Sequence, residues 1–141
     1  MEPETVEEAL AMLTERPDDV ELYQRLGGLY LKRRDVEKAW EAYMQALKLN
    51  PDDPFTCLYF GNLLTICADK KYAMQLYEHA IQSDPELAAP HWCKANLHRS
   101  LGEFDLAQQE YENAVAVDPT DEQAQAKLAE WRTFVTRMRG S

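Results

Sequence analysis

A proline every 34 residues constrains this chain more than any other feature. Pro17, Pro51, Pro85 and Pro119 share that offset, and other columns keep the same step. Ala39, Ala73 and Ala107 align, as do Tyr43, Tyr77 and Tyr111, and then Ala46, Ala80 and Ala114. Gly27 and Gly61 fall in register with Ala95, and Leu47 with Ile81 and Val115. Independent columns at one period mark a repeat array. In such an array each unit is a supersecondary module that cannot bury its own faces and must stack on the next.

The residue types in these columns point to paired helices. Gly27, Gly61 and Ala95 let the first helix of a unit approach its neighbour closely. The two alanine columns lie seven residues apart on one face of the second helix and permit the same contact, with the tyrosines filling the space between them. Each proline ends a helix. The acidic residues behind it suit the start of the next, where unpaired amide hydrogens favour negative charge. Outside the repeats, residues 4–16 carry Val6, Ala9, Leu10 and Leu13 at helical spacing. Residues 121–138 carry Ala124, Leu128, Trp131, Val135 and Met138 on one stripe, as a closing helix would.

With units at 20–53, 54–87 and 88–121, the first reads Tyr23, Leu26, Gly27, Tyr30, Ala39, Tyr43, Ala46, Pro51. This resembles the tetratricopeptide-repeat signature at all eight positions. The second unit keeps Phe60, Gly61, Leu64, Ala73, Tyr77, Ala80 and Pro85, with Cys57 where a large apolar residue is usual. The third keeps Ala95, Ala107, Tyr111, Ala114 and Pro119 but places His91, Lys94 and His98 at usually apolar positions; Gly102 and Phe104 restore the turn. The resemblance implies an all-α, right-handed helical solenoid of about eight helices. Residues 1–19 would form an N-terminal half repeat or cap, the three repeats would follow, and 122–141 would form a capping helix and tail.

It also implies that the first helices of successive repeats line a concave groove that binds peptides. Carried over by position, the first repeat contributes Gln24, Arg25 and Leu31, with Glu21, Gly28 and Lys32 beside them. The second contributes Phe55, Leu58, Tyr59, Asn62 and Ile66, with Thr65 beside them, and the third Trp92, Asn96 and Arg99, with Ala89, Cys93 and Ser100. The large apolar side chains are more than a solvated groove needs and mark a contact surface, unless the terminal helices or a second chain cover them. Asn62 and Asn96 share one repeat position, and stacked carboxamides can hold an extended backbone. Some family members clamp acidic peptide tails with Lys, Arg and Asn. The corresponding positions here are Gln24, Gly28, Tyr59, Ala89 and Cys93, so an acidic tail is a poor ligand and an apolar or basic segment a better one.

The remaining features narrow the functional classes. A net charge of −10 from 25 acidic and 15 basic residues disfavours nucleic acid and anionic membranes. No apolar run approaches the ~18–20 residues of a membrane span. Three cysteines without a Cys-x-x-Cys spacing fit reduced thiols and a cytoplasmic setting, or a soluble domain excised from a larger protein. His91, Lys94 and His98 sit roughly on one helix face, but no His-x-x-x-His spacing accompanies them, so they read as partly exposed polar residues and no metal or cofactor is expected. Phosphate-loop and nucleophile motifs are absent from the sequence. The expected function is a non-catalytic scaffold or adaptor that binds a peptide segment of a partner protein. A self-associating module (a homo-oligomer) and a secretion-type chaperone are the alternatives.

Overall fold

The computed structural model describes residues 2–140. Met1 and Ser141, at the outer ends of the two flanking segments, lie outside the described residues. Among those described the chain forms eight α-helices and no strand. They are α1 (Val6–Glu15), α2 (Val20–Lys32), α3 (Val36–Leu49), α4 (Pro54–Ile66), α5 (Lys70–Ser83), α6 (Ala89–Ser100), α7 (Phe104–Val117) and α8 (Glu122–Met138). The starts of α3, α5 and α7 are spaced by the sequence period, and so are the ends of α2, α4 and α6. Helix α2 pairs with α3, α4 with α5 and α6 with α7; α1 packs on α2, and α8 on α7 and α6.

Helix starts follow the acidic residues behind the prolines. Asp19, Asp53 and Asp121 accept backbone amides at the heads of α2, α4 and α8, and Asp35 and Asp69 do so for α3 and α5. Each cap answers an N–H that the helix itself cannot satisfy. In the third unit the same register position holds Leu87, which cannot cap. Helix α6 accordingly starts at Ala89, one residue late, without a side-chain cap.

The turn inside each unit is a left-handed residue at the periodic positions Arg34, Ala68 and Gly102, with φ of 60°, 66° and 77°. The following amide reaches back across the turn in every unit: Asp35 to the Tyr30 carbonyl, Asp69 to Leu64 and Glu103 to His98, each at 2.9 Å. This is the helix-ending motif that glycine suits best, because other residues pay a steric cost for positive φ.

Tyrosine against glycine sets the distance between the two helices of a unit. A Cβ on Gly27 would lie 2.5 Å from Tyr43 Cε1, and one on Gly61 would lie 2.7 Å from Tyr77 Cε1. Around these contacts runs a core from α3 through α6, including Phe60, Leu63, Leu64, Ala73, Tyr77 and Leu97. At one end Val6, Ala9 and Leu13 of α1 close the stack on Leu22, Leu26 and Leu29 of α2. At the other, Trp131 of α8 is 2% exposed and packs on Tyr111 with ring centroids 5.5 Å apart.

Two pairs of outcomes follow for stability, measured by chemical denaturation. Gly27→Ala overpacks the Tyr43 contact and costs about 1–3 kcal/mol. Gly28→Ala, whose added Cβ meets nothing within 4 Å, gains about 0.5–1 kcal/mol. Ala68→Gly relieves the left-handed turn and gains up to about 1 kcal/mol, whereas Gly102→Ala loses stability.

Candidate functional site: the concave groove

Helix α4 contains no charged residue. One of its faces is core: Cys57, Phe60, Leu63 and Leu64 are fully buried. The other places Phe55, Tyr59, Asn62 and Ile66 at steps of four, three and four residues, which is one stripe of a helix. All four are exposed, Phe55 at 43%, Tyr59 at 39% and Ile66 at 67%. Phe55 and Tyr59 stand with ring centroids 6.3 Å apart, and Tyr59 lies 6.5 Å from Tyr43 beneath.

Between α2 and this stripe lies a cleft of about 470 Å³. Gln24, Arg25, Gly28, Tyr43, Phe55 and Tyr59 are among the side chains and backbone that line it. Gln24 is positioned from both sides: its amide donates to Asp53 Oδ1 at 3.1 Å and to Thr56 Oγ1 at 2.7 Å, joining α2 to the head of α4. Arg25 donates through Nε to the Pro3 carbonyl at 2.9 Å, which brings the N-terminal segment to the mouth of the cleft. Leu31 is half-buried against the core.

Towards the third unit the concave side is partly covered: Asn96 stays exposed and lines a second cleft with Arg99, Ser100, Phe104 and Phe134. Leu58, expected in the groove, is 6% exposed and belongs to the core. A side chain one residue before an exposed helix position points well around the helix, and here that direction is inward. Trp92 is also half-buried, packed against three clusters of the core, with Lys127 of α8 at 5.3 Å from its ring. Its indole N–H is buried without a partner among the described residues. Arg99 lies 4.1 Å from the centre of the Phe134 ring and 6.0 Å from that of Trp131, both on α8. Leu58 and Trp92 therefore contribute packing rather than groove surface, and Arg99 is engaged by the closing helix.

The two asparagines are exposed but not idle. Asn62 accepts a hydrogen bond from the Tyr77 hydroxyl at 2.6 Å, and Thr65 Oγ1 lies 3.2 Å from the same hydroxyl. Asn96 accepts from the Tyr111 hydroxyl in the same way. Each asparagine thus uses its carbonyl inside its own repeat and keeps its amide hydrogens for solvent or a ligand. Tyr43, the equivalent of Tyr77 and Tyr111, lines the cleft, a place that its role as a packing residue did not suggest. The signal was available in the sequence, in what stands opposite each tyrosine.

The basic residues of α6 meet carboxylates instead of forming an open site. His91 Nδ1 lies 3.3 Å from Glu110 Oε2, Lys94 lies 3.7 Å from both Glu78 and Glu110, and His98 Nδ1 lies 3.1 Å from Glu103. Among the described residues no group of three or more His, Cys, Asp or Glu side chains is placed to hold a metal ion. Nor are the buried thiols poised as nucleophiles. Burial pushes Cys57 up to about 11, helped by Asp53 and Asp52, and Cys93 up to about 12, so both remain protonated near neutrality.

Glu110 is the centre of that network. Burial alone would raise its carboxyl, but hydrogen bonds from His91 and Asn113, with Lys94 close by, hold it below its ordinary value of 4.5. A carboxyl with a depressed folded-state value stabilises the fold above the unfolded value, and the contribution disappears as pH falls through the folded one. Glu110→Gln is therefore expected to lower the melting temperature near neutrality and to have a smaller effect at about pH 3. Thermal melts at the two values check this.

A family profile described as tetratricopeptide repeat matches residues 20–53 and 94–121. No curated protein matches the sequence. The fold is similar to that of a thermophilic protein of this repeat type from Thermus thermophilus, with a TM-score of 0.81 at 19% identity over 91% of this chain and 71% of that one. It is similar to the protein MamA, with a TM-score of 0.74 at 19% identity over 93% and 77%. The first repeat domain of human RPAP3 gives 0.74 at 14% identity over 89% and 98%. These identities speak for the fold alone. No helix among the described residues is long and apolar enough to cross a membrane. The repeat match at residues 20–53 and 94–121, the eight-helix solenoid and the tyrosine–glycine register together give the described residues a tetratricopeptide-repeat fold.

Proposed function

We propose that the chain is a non-catalytic interaction module that binds an extended segment of a partner protein between α2 and α4. The observation that carries this reading is the exposed, uncharged stripe Phe55, Tyr59, Asn62 and Ile66 beside the cleft. Aromatic side chains of this kind supply much of the energy of protein recognition while losing little conformational freedom. Tetratricopeptide repeats, which the profile matches here at residues 20–53 and 94–121, generally mediate protein–protein contacts, in keeping with this role.

The partner segment is apolar or basic rather than acidic. None of Gln24, Gly28, Tyr59, Ala89 and Cys93, the positions that would form a carboxylate clamp, carries a positive charge, and Cys93 is buried in any case. The net charge of −10 adds a long-range preference against acidic segments, strongest at low salt.

Phe55→Ala and Tyr59→Ala are each expected to weaken binding of a peptide selected from a randomised library by about tenfold or more, with circular dichroism unchanged. Trp92→Ala should instead lower the melting temperature, because its ring is packed under α8. Unchanged peptide affinity in both α4 variants would remove the groove reading. A monomeric mass by light scattering, independent of concentration, separates it from self-association.

A further inference from the structure

Three tyrosines occupy one repeat position, and two of them have their hydroxyls answered within their own unit. Tyr77 donates to Asn62 with Thr65 alongside, and Tyr111 donates to Asn96 with the Arg99 guanidinium beside it. One period earlier, the positions of those partners hold Gly28 and Leu31, and neither has a side-chain hydrogen-bonding group. Tyr43 is only 3% exposed, and its hydroxyl has no hydrogen-bond partner among the described residues. It is not sealed off, because Tyr43 lines the cleft. A Cβ on Gly28 would meet nothing within 4 Å, so the space corresponding to the Asn62 and Asn96 side chains is open here.

We propose that this cleft is a subsite for an uncharged carboxamide, the side chain of a Gln or Asn in the bound segment. Its carbonyl oxygen accepts from the Tyr43 hydroxyl, as Asn62 and Asn96 accept from Tyr77 and Tyr111. The inference rests on the groove reading and specifies what one part of the groove selects.

The alternatives fit the lining less well. A purely apolar side chain would close the cleft over a donor left without a partner, which is unfavourable for a buried hydroxyl. A carboxylate would find no net positive charge: Glu2 and Glu21 balance Arg25 and Lys32 around the mouth. A carboxamide on a two- or three-bond stem can extend into the cleft, whose lining residues Glu21 and Tyr59 carry groups able to accept from its amide hydrogens. Burial, and then the neighbouring Tyr59, push the Tyr43 phenol up to about 12, so it remains a neutral donor at physiological pH.

The test uses a positional library of N-acetylated, C-amidated decapeptides, with one position fixed to each amino acid in turn and the others mixed. The full chain should prefer Gln or Asn over both Leu and Glu at one position by about tenfold, the loss expected when a buried polar partner is left unmatched. Tyr43→Phe removes the donor and keeps the ring over Gly27; Gly28→Asn supplies the missing carboxamide from within. Both should abolish the preference, and Gly28→Asn enters open space, so it carries the test even if Tyr43→Phe does not fold. Selection of Leu or Glu at every position, or an amide preference that survives Gly28→Asn, overturns the subsite and leaves the groove reading standing. Failure of every sub-library to bind overturns both.

Discussion

The contact of a tyrosine ring with a glycine across the two helices of a repeat is the constraint on which the rest of this structure depends. Tyr43 sits where a Cβ of Gly27 would be, and Tyr77 where one of Gly61 would be. That overlap sets the separation of α2 from α3 and of α4 from α5. It also carries each phenol through the unit, so that its hydroxyl emerges near the concave side. In the proposed groove, packing and recognition are thereby coupled: a residue that holds the helices together also lines the cleft, and what stands opposite decides whether its hydroxyl is paired inside the repeat.

The concave surface is not uniform along the array. Its first half is open, with α4 offering an uncharged stripe beside a cleft floored by Tyr43. Its second half is narrowed by the protein itself, because α8 packs on α6 and α7 and lays Lys127 over Trp92 and Phe134 over Arg99, leaving Asn96 exposed. An array of repeats must end somewhere, and a helix that satisfies the last apolar face necessarily covers part of the surface that face would have presented. The N-terminal helix α1 closes the opposite end on α2, away from the stripe.

Much of this was legible from residue spacing. The 34-residue columns identified the paired helices, and the acidic residues after Pro17, Pro51 and Pro119 marked the starts of α2, α4 and α8. The stripe of α4 could be placed because Phe55, Tyr59, Asn62 and Ile66 share a helix face. Leu58 and Trp92 were not separable from them by type, since a large apolar residue suits a groove and a core equally well. Only the direction in which each side chain leaves its helix distinguishes the two, and for Trp92 that depends on where α8 comes to lie. The polar positions of α6 show the same limit: His91, Lys94 and His98 look like a cluster in sequence, but their carboxylate partners come from α5, α7 and the intervening turn.

By itself, then, the sequence determined the repeat fold, the number and order of the helices and the register between repeats, because these follow from local periodicity and from residues whose backbone or size requirements leave little choice. Tertiary structure alone decided which apolar side chains remain at the surface and that the space beside Tyr43 stays open. Those outcomes arise between helices: the aligned columns show a glycine at 28 in place of the asparagine at 62 and 96, but only the packed helices show that the space it leaves is not filled by another side chain. The physical reason is the difference in range. Periodicity records what each helix must do to pack at all, whereas a cleft records what remains after every helix has packed.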